Sequence, residues 1–326
     1  MFQPRRLVPR RVLAGASMIA LAIAFFIFYR TLRRSMLRPL IVYVYYDGSM
    51  TPEDESFRAS MGTINGFNAA DAARNRPQQT ANLEFFLRHG LQSNADYLFV
   101  MNSPTPQGVV FPNLPNIFVW GKENKCYDLG SFRQGVEYMA KRHRRYRRYI
   151  MINASVRGPF LPLYDRGCWI DHFLDRLTDD VKMVGTTVYC NMHGVSRHVQ
   201  SMVLAFDEVG YAVGPATLPC PDKITDAVHM GEVPLTGILE TNGYKVDALM
   251  TSATGDPDRC DSGDMNFRDR YYGMSFHPYE LIFIKANRGI DDNALNHYST
   301  WHDNMLGIHK NSCPYYVSGP PLRGTA

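Results

Sequence analysis

A mixed α/β fold is what the sequence predicts: a mostly parallel sheet flanked by helices, preceded by one N-terminal transmembrane helix. Three observations carry it. Short apolar runs rich in β-branched residues, too short for helices, recur from Leu40 onward. Segments with apolar residues at helical spacing stand between them, the alternation that builds parallel sheets. The central run, Tyr149–Ile152, gives way at once to polar Asn153 and Ser155 and turns sharply at Gly158-Pro159. Ligands of open α/β sheets collect where strands end at their carboxyl edge, so this stretch is the natural centre of a site.

The chain has 326 residues, 45% of them apolar and 20% charged, which describes a globular protein and not a disordered one. Its net charge of +4 has a local source. Eight of the 35 basic residues (Arg5, Arg6, Arg10, Arg11, Arg30, Arg33, Arg34 and Arg38) flank one apolar segment, leaving 27 against 31 acidic residues. That balance argues against a global nucleic-acid footprint. The segment itself, Val12–Tyr29, carries no charge over 18 residues. As a helix it would span roughly 27 Å, the thickness of a thin bilayer. We read it as a signal-anchor. A cleaved signal peptide is the weaker alternative, because Arg30, Arg33 and Arg34 follow where a small-x-small cleavage site would stand. The arginines balance across the segment and do not orient it, but a short tail beside a large C-terminal domain favours a cytosolic N-terminus. The expected organisation is a cytosolic tail (1–11), an anchor (12–29), a short stem (30–39) and a lumenal domain (40–326). Such a chain is a single-pass type II membrane protein of the Golgi or endoplasmic reticulum.

The elements follow in order. Leu40–Tyr46 is a buried strand closed by Asp47-Gly48, and Thr51–Gln78 is a long polar loop with one helical turn. Thr80–Leu91 is a helix with Leu83, Phe86 and Leu87 inward and Gly90 at its end. Tyr97–Met101 and Asn116–Trp120 are strands joined by the Pro-rich stretch Pro104–Pro115. Ser131–His143 is a helix with Phe132, Val136 and Met139 or Ala140 on one face. It runs into Lys141, Arg142, His143, Arg144, Arg145, Arg147 and Arg148, a solvated end whose cations complement the helix dipole. Contact with anionic lipid or another polyanion is the alternative. After the central strand come a helix at Trp169–Leu177, a strand at Val181–Tyr189 and a helix at Ser196–Val209 capped by Ser196. A helix at Val233–Asn242 closes on Gly243, and Lys245–Met250 is a strand. Asp256–Asp269 is an acidic loop and Leu281–Lys285 the last strand. Six cysteines, Cys126, Cys168, Cys190, Cys220, Cys260 and Cys313, permit three disulfides in fifteen pairings, with free buried thiols as the alternative. There is no C-x-x-C pair to suggest zinc.

Four constellations could carry chemistry. Asn124 and Asp128 follow the third strand, where contacts to a ribose or base are commonly made; Asp128 also suits a helix cap. Asn153, Ser155 and Arg157 form the turn after the central strand. There Arg157 offers a planar fork to a phosphate and the other two offer hydrogen bonds to a diphosphate or sugar. Asn153-Ala154-Ser155 is also a glycosylation sequon, poorly accessible at a buried strand end. His198, Gln200 and Ser201 would open a helix whose N-terminus attracts anions, although a lone His is more often structural. Glu232 precedes a helix and could take a proton from a hydroxyl, or merely suit a first helical turn.

Taken together, E-N-K-C-Y-D-L-G (123–130), I-N-A-S-V-R-G-P-F-L-P (152–162), K-M-V-G-T-T (182–187), H-V-Q-S-M (198–202), G-E-V-P-L-T-G-I-L-E-T-N-G-Y (231–244) and H-P-Y-E-L-I-F-I-K-A-N-R (277–288) resemble proteins related to the rhamnan-synthesis F family. Those are assigned as glycosyltransferases of the GT-A kind. The resemblance implies a GT-A-like, Rossmann-like sheet and a hexosyl- or deoxyhexosyltransferase that uses a nucleotide sugar and a glycan or glycoconjugate acceptor, in polysaccharide biosynthesis. It matches Glu232 to the acidic motif that supplies the base in inverting enzymes. For such an enzyme we expect Glu232 and His198 to be catalytic, Arg157, His198, Lys285 and Arg288 to neutralise the leaving diphosphate, Asn124 and Asp128 to contact the nucleoside, and Asn153, Ser155, Gln200 and Ser201 to bind the donor. One departure stands out. GT-A enzymes usually carry Asp-x-Asp after the central strand to hold Mn²⁺ or Mg²⁺, and here that position reads Asn153-Ala154-Ser155. Neutral side chains hold a hard cation poorly, so no metal ligand is assigned and no strict metal requirement is expected. The same departure favours the other class considered, a membrane-anchored glycan-binding or scaffold protein on a decayed transferase fold.

Overall fold

The computed structural model describes residues 38–48, 56, 75–192, 194–255, 263–305 and 313. The chain divides after Arg38, and the body beyond it is a three-layer α/β unit. Val12–Tyr29 lies outside the described residues. Among those described, no helix is long and apolar enough to cross a membrane.

Seven strands form the main sheet. β1 (Leu40–Tyr45), β2 (Asp96–Met101), β3 (Ile117–Gly121) and β4 (Arg148–Asn153) are parallel, with β1 between β2 and β4. The order continues β4–β9–β6–β10, where β9 (Val203–Asp207) runs antiparallel between β4 and β6 (Val181–Gly185), and β10 (Lys245–Ala248) is parallel to β6. β1 shows why its sequence is unbroken apolar: all six residues are buried. Ile41, Tyr43 and Tyr45 meet Leu83 and Phe86 of α1 (Asn75–His89) on one face. Leu40, Val42 and Val44 meet Phe132, Val136 and Met139 of α2 (Tyr127–Lys141) on the other. Phe132 is fully buried, so truncating it to Ala should cost about 3–5 kcal/mol.

Several expectations need correcting. Ser196–Val209 is not a helix: it forms β8 (His198–Val199) and the inner strand β9, and helix α4 (Glu208–Val213) starts only at its end. Four consecutive residues of β9 are buried because both faces of the sheet are covered: Leu204 and Phe206 pack in one core layer, Val203 and Ala205 in the other. Val181–Tyr189 breaks at Thr186-Thr187, and β7 (Val188–Tyr189) leaves the sheet to pair with β8. Of Leu281–Lys285 only Ile284–Lys285 form a strand, the two-residue β11; Leu281 ends helix α7 (Pro278–Leu281), and Ile282 and Phe283 lie in a bend between them. α1 starts at Asn75, inside the stretch read as loop, and residues 51–74 lie almost wholly outside the described residues. The helices α3 (Trp169–Leu174) and α6 (Val233–Thr241) fall where expected, and Gly243 has the positive φ of +83° foreseen for it. α8 (Asp292–Asn304), capped by Asp291, was not anticipated. Disulfides join Cys126 to Cys220 and Cys168 to Cys313, Cys190 is also disulfide-bonded, and no cysteine among the described residues is free.

Candidate functional site

β1 leads to β2 and β3 on one side, while β4 lies on its other side. Chain direction around the sheet therefore reverses between β1 and β4, and the crevice outside their carboxyl ends is where ligands of such sheets bind. Asn153 ends β4 there. Its Nδ2 donates to Asp128 Oδ2 at 2.8 Å, and its Oδ1 accepts from Ser155 N (3.1 Å) and Ser155 Oγ (2.6 Å). Asp128 is consequently not the helix cap. Cys126 stands at that position in a left-handed conformation, and Asp128 points from the first turn of α2 to the strand end. Sequon or not, the Asn153 amide is buried and bonded on both sides.

Two bonds bring the later segments to the same edge. Asn153 N donates to Met202 O at 3.0 Å, setting Ser201 beside the strand end, and Ser201 N donates to Glu232 Oε1 at 2.8 Å. Glu232 ends a short π-helical turn (Val228–Glu232) that runs straight into α6. Such turns recur at functional sites because the bulge re-aims side chains. On the other flank, Ala286 N donates to Ser155 O at 2.9 Å, and β11 pairs Lys285 with Val156 of β5 (Val156–Arg157).

Behind these lies a buried polar wall. Gln200 Oε1 accepts from Thr187 Oγ1 (2.8 Å) and Asn266 Nδ2 (2.6 Å), and Gln200 Nε2 donates to Asp264 Oδ1 at 3.3 Å. Asp264 also accepts from Asn266 N at 3.0 Å, and its Oδ2 lies 3.5 Å from Arg288 Nη1. Burial pushes its carboxyl up, but Arg288, Lys285 and these two hydrogen bonds together hold it below the usual carboxylate range. The Arg288 guanidinium also covers the Phe267 ring at 4.4 Å. Lys285 and Arg288 thus both stand close to one carboxylate beside the strand end.

Not every predicted residue gathers here. Arg157 is buried between helices: Nε donates to Asn82 Oδ1 at 2.9 Å and Nη1 to Ser299 Oγ at 3.2 Å. β5 turns it toward α1 and α8, so it is removed from the phosphate contacts assigned above. His198 opens no helix, and the anion site expected at a helix N-terminus does not exist. Its ring stacks on Tyr189 (5.1 Å between centroids) and its Nδ1 lies 2.8 Å from Ser196 O. Tyr189 links it to the wall, its hydroxyl pKa raised by burial and by the charge of Asp264.

Two residues escaped the sequence reading. Asp264 sits in the acidic loop; only its position directly before the apolar Met265 hints at burial. Lys122 follows β3, and its Nζ donates to Glu123 O (2.8 Å), Lys125 O (2.9 Å) and Asn102 Oδ1 (3.2 Å), with Ser131 Oγ at 3.3 Å. It thus pins the carbonyls on both sides of exposed Asn124. Burial pulls its ammonium down to about 8, against the opposing pull of Glu123.

A divalent cation fits this edge poorly. The Asp-x-Asp position supplies an amide and a hydroxyl bonded to each other, and the nearby carboxylate, Asp128, accepts from that amide. Among the described residues no group of three or more His, Cys, Asp or Glu side chains could hold a metal ion.

No protein-family model matches the chain, and no curated protein matches it in sequence. The likeness to rhamnan-synthesis F proteins therefore stays with the motifs that suggest it. Among solved structures the chain is similar to a candidate nucleotide-diphospho-sugar transferase from Desulfovibrio desulfuricans, at 12% identity over 63% of this chain and 75% of that one, with a TM-score of 0.33. It is also similar to a candidate glucose-1-phosphate thymidylyltransferase from Bacillus anthracis solved with sucrose, at 9% identity, 81% and 94% coverage and a TM-score of 0.39. A third is the bifunctional glycosyltransferase WbbM, at 9% identity, 72% and 40% coverage and a TM-score of 0.27. Likeness this remote carries no argument, and the functional reading rests on the chain's own residues.

Proposed function

We propose that this chain is a glycosyltransferase that takes its sugar from a nucleotide-sugar donor held at the carboxyl edge of β1 and β4. The supporting observation is the bonded circuit at that edge. Asp128–Asn153–Ser155 joins through Met202 to Ser201–Glu232 and through Ala286 to the Lys285, Arg288 and Asp264 wall. In this reading Asn124 and Asp128 meet the nucleoside, and Lys285 and Arg288 offset charge on the leaving diphosphate. Such electrostatic stabilisation is typically worth several kcal/mol. Asn153, Ser155 and Gln200 meet the donor sugar, and Glu232 takes the proton from an acceptor hydroxyl, with inversion. Ser201 N fixes Glu232 Oε1, leaving Oε2 to face the acceptor. The acceptor is a glycan or glycoconjugate. The reaction proceeds without a strict Mn²⁺ or Mg²⁺ requirement, and the body stands on the lumenal side of a Golgi or endoplasmic-reticulum membrane.

A thermal-shift screen with UDP, GDP, dTDP and CMP tests donor binding. The matching nucleotide at a hundred times its dissociation constant should stabilise the fold by about 2.7 kcal/mol. No shift with any of the four would contradict the reading. One observation favours a second reading, a glycan-binding scaffold that has lost catalysis: Asn153 spends its amide on Asp128, where a transferase would usually present a metal-binding carboxylate. Donor hydrolysis separates the two. A scaffold binds glycan and hydrolyses no nucleotide sugar.

A further inference from the structure

We propose that the exposed aromatic face of α8, with Tyr164 and Tyr279 beside it, binds a neutral oligosaccharide chain. That such a chain is the acceptor rests on the transferase reading above. Trp301 is 51% exposed and Tyr164 is 85% exposed. Single exposed rings are ordinary on a protein surface, but a cluster of them marks a binding surface. Tyr298 is the hub here. Its ring meets Tyr279 at 4.7 Å, His277 at 4.8 Å and Trp301 at 5.0 Å between centroids, all edge to face. Its hydroxyl lies 2.8 Å from His277 Nε2. Burial raises the pKa of the Tyr279 phenol, and the phenols of Tyr298 and Tyr164 raise it further, which brings Tyr164 to the same cluster.

Chemistry selects the ligand. The exposed residues of α8 are Asn293, Asn296, His297, Thr300, Trp301 and Asn304, with no lysine, arginine or carboxylate among them. A surface helix ordinarily carries charged side chains on its solvent face. Here Asp303 is turned onto Arg88 and His89, at 3.0 and 2.7 Å. A sugar ring presents C–H hydrogens that are drawn to the negative face of an aromatic ring. Its hydroxyls need amide and hydroxyl partners, which the asparagines and Thr300 are equipped to be. An anionic bilayer or a polyanion would call for Lys and Arg instead, and the core of a protein interface for contiguous apolar contact. Position agrees. Ala286 N donates to Ser155 O at the candidate site, β5 pairs with β11, and Phe160 N donates to Ile282 O at 2.7 Å, so a ribbon leads away from Ser155. The aromatic face stands at its far end, where His302 of α8 packs on Phe160 at 5.1 Å and on Tyr279 at 5.7 Å. Phe160 is five residues past Ser155. Chain of that length spans at most about 17–18 Å, within reach of a few linked sugars.

The test titrates the full chain calorimetrically with maltohexaose, laminarihexaose, mannohexaose and chitohexaose, each beside its monosaccharide. At least one hexasaccharide should bind about tenfold or more tighter than its monosaccharide, because linked sugars engage several rings at once. Tyr164→Ala with Trp301→Ala should weaken that binding by about tenfold or more, as loss of interface aromatics does. The same double variant should keep the melting temperature and any nucleotide-induced shift, and Trp301→Phe should retain most of the binding. Failure of all the hexasaccharides to bind, or equal binding by the double variant, would overturn the proposal. So would a concentration-dependent rise in mass that the double variant abolishes, which would assign the face to a second copy of the chain. A nucleotide shift without oligosaccharide binding strikes this face and leaves the donor reading standing. Oligosaccharide binding without any nucleotide shift keeps the face and strikes the donor reading.

Discussion

The two walls of the crevice solve different problems. The β4 wall is neutral at its tip: the Asn153 amide bridges Ser155 to Asp128, and the strand beneath is apolar on both faces. The flanking wall, from β8 and the loops before and after α7, is charged, with the buried Asp264 carboxylate held among Gln200, Arg288 and Lys285. Where a transferase of this architecture would place metal-binding carboxylates, this chain has an amide and a hydroxyl. The cations stand on the flanking segment that Ala286 N ties to Ser155 O. On the proposed reading, charge on a leaving diphosphate is met from that flank.

The sharpest way to break this comparison is at Glu232. Glu232→Gln keeps a carbonyl to accept from Ser201 N, so nucleotide binding should persist while transfer falls by about 10²–10⁴, the usual worth of a general base. Unchanged turnover removes Glu232 from the chemistry. Next comes Asp264→Asn, which frees Arg288 from its carboxylate. Hydrogen bonds to charged groups are worth about 1.5–3 kcal/mol, so we expect the donor KM to rise roughly tenfold or more, with kcat less affected. A fall in kcat alone would place Asp264 outside donor binding.

Arg157→Met marks the boundary of the site. It strands Asn82 Oδ1 and should cost about 1–3 kcal/mol of stability, read as a lower melting temperature with the nucleotide dissociation constant unchanged. A weaker nucleotide affinity would return Arg157 to the site. The smallest effect is at Lys122. Its folded pKa of about 8 lies below the ordinary 10.5, so between those values the unfolded chain binds more protons and stability should rise with pH. A pH series of melting temperatures should show that rise in the native chain and lose it in Lys122→Gln; identical slopes would contradict the burial of the ammonium.

The same contrast explains what the sequence could reveal. The β1–β4 half was legible because enclosed parallel strands leave continuous apolar runs such as Leu40–Tyr45, and α2 shows Phe132, Val136 and Met139 at helical spacing. The other half was misread because β9 is short and fully enclosed, and its apolar run merges with α4 into a segment of helical length. Asn153, Ser155 and Asp128 could be placed by following a strand to its end. Asp264 could not, because its burial depends on Gln200 and Arg288, 64 and 24 positions away. Arg157 misled for the converse reason: four residues past the strand end, β5 turns it inward to Asn82 and Ser299.

Hydrogen–deuterium exchange of the full chain with saturating UDP, GDP, dTDP or CMP tests the central claim most directly. The account predicts that one nucleotide slows exchange at 122–131, 153–155, 200–202 and 264–288 together, the segments the bonded circuit joins. Protection of none of them, or protection confined to the opposite edge at 141–148, would contradict it.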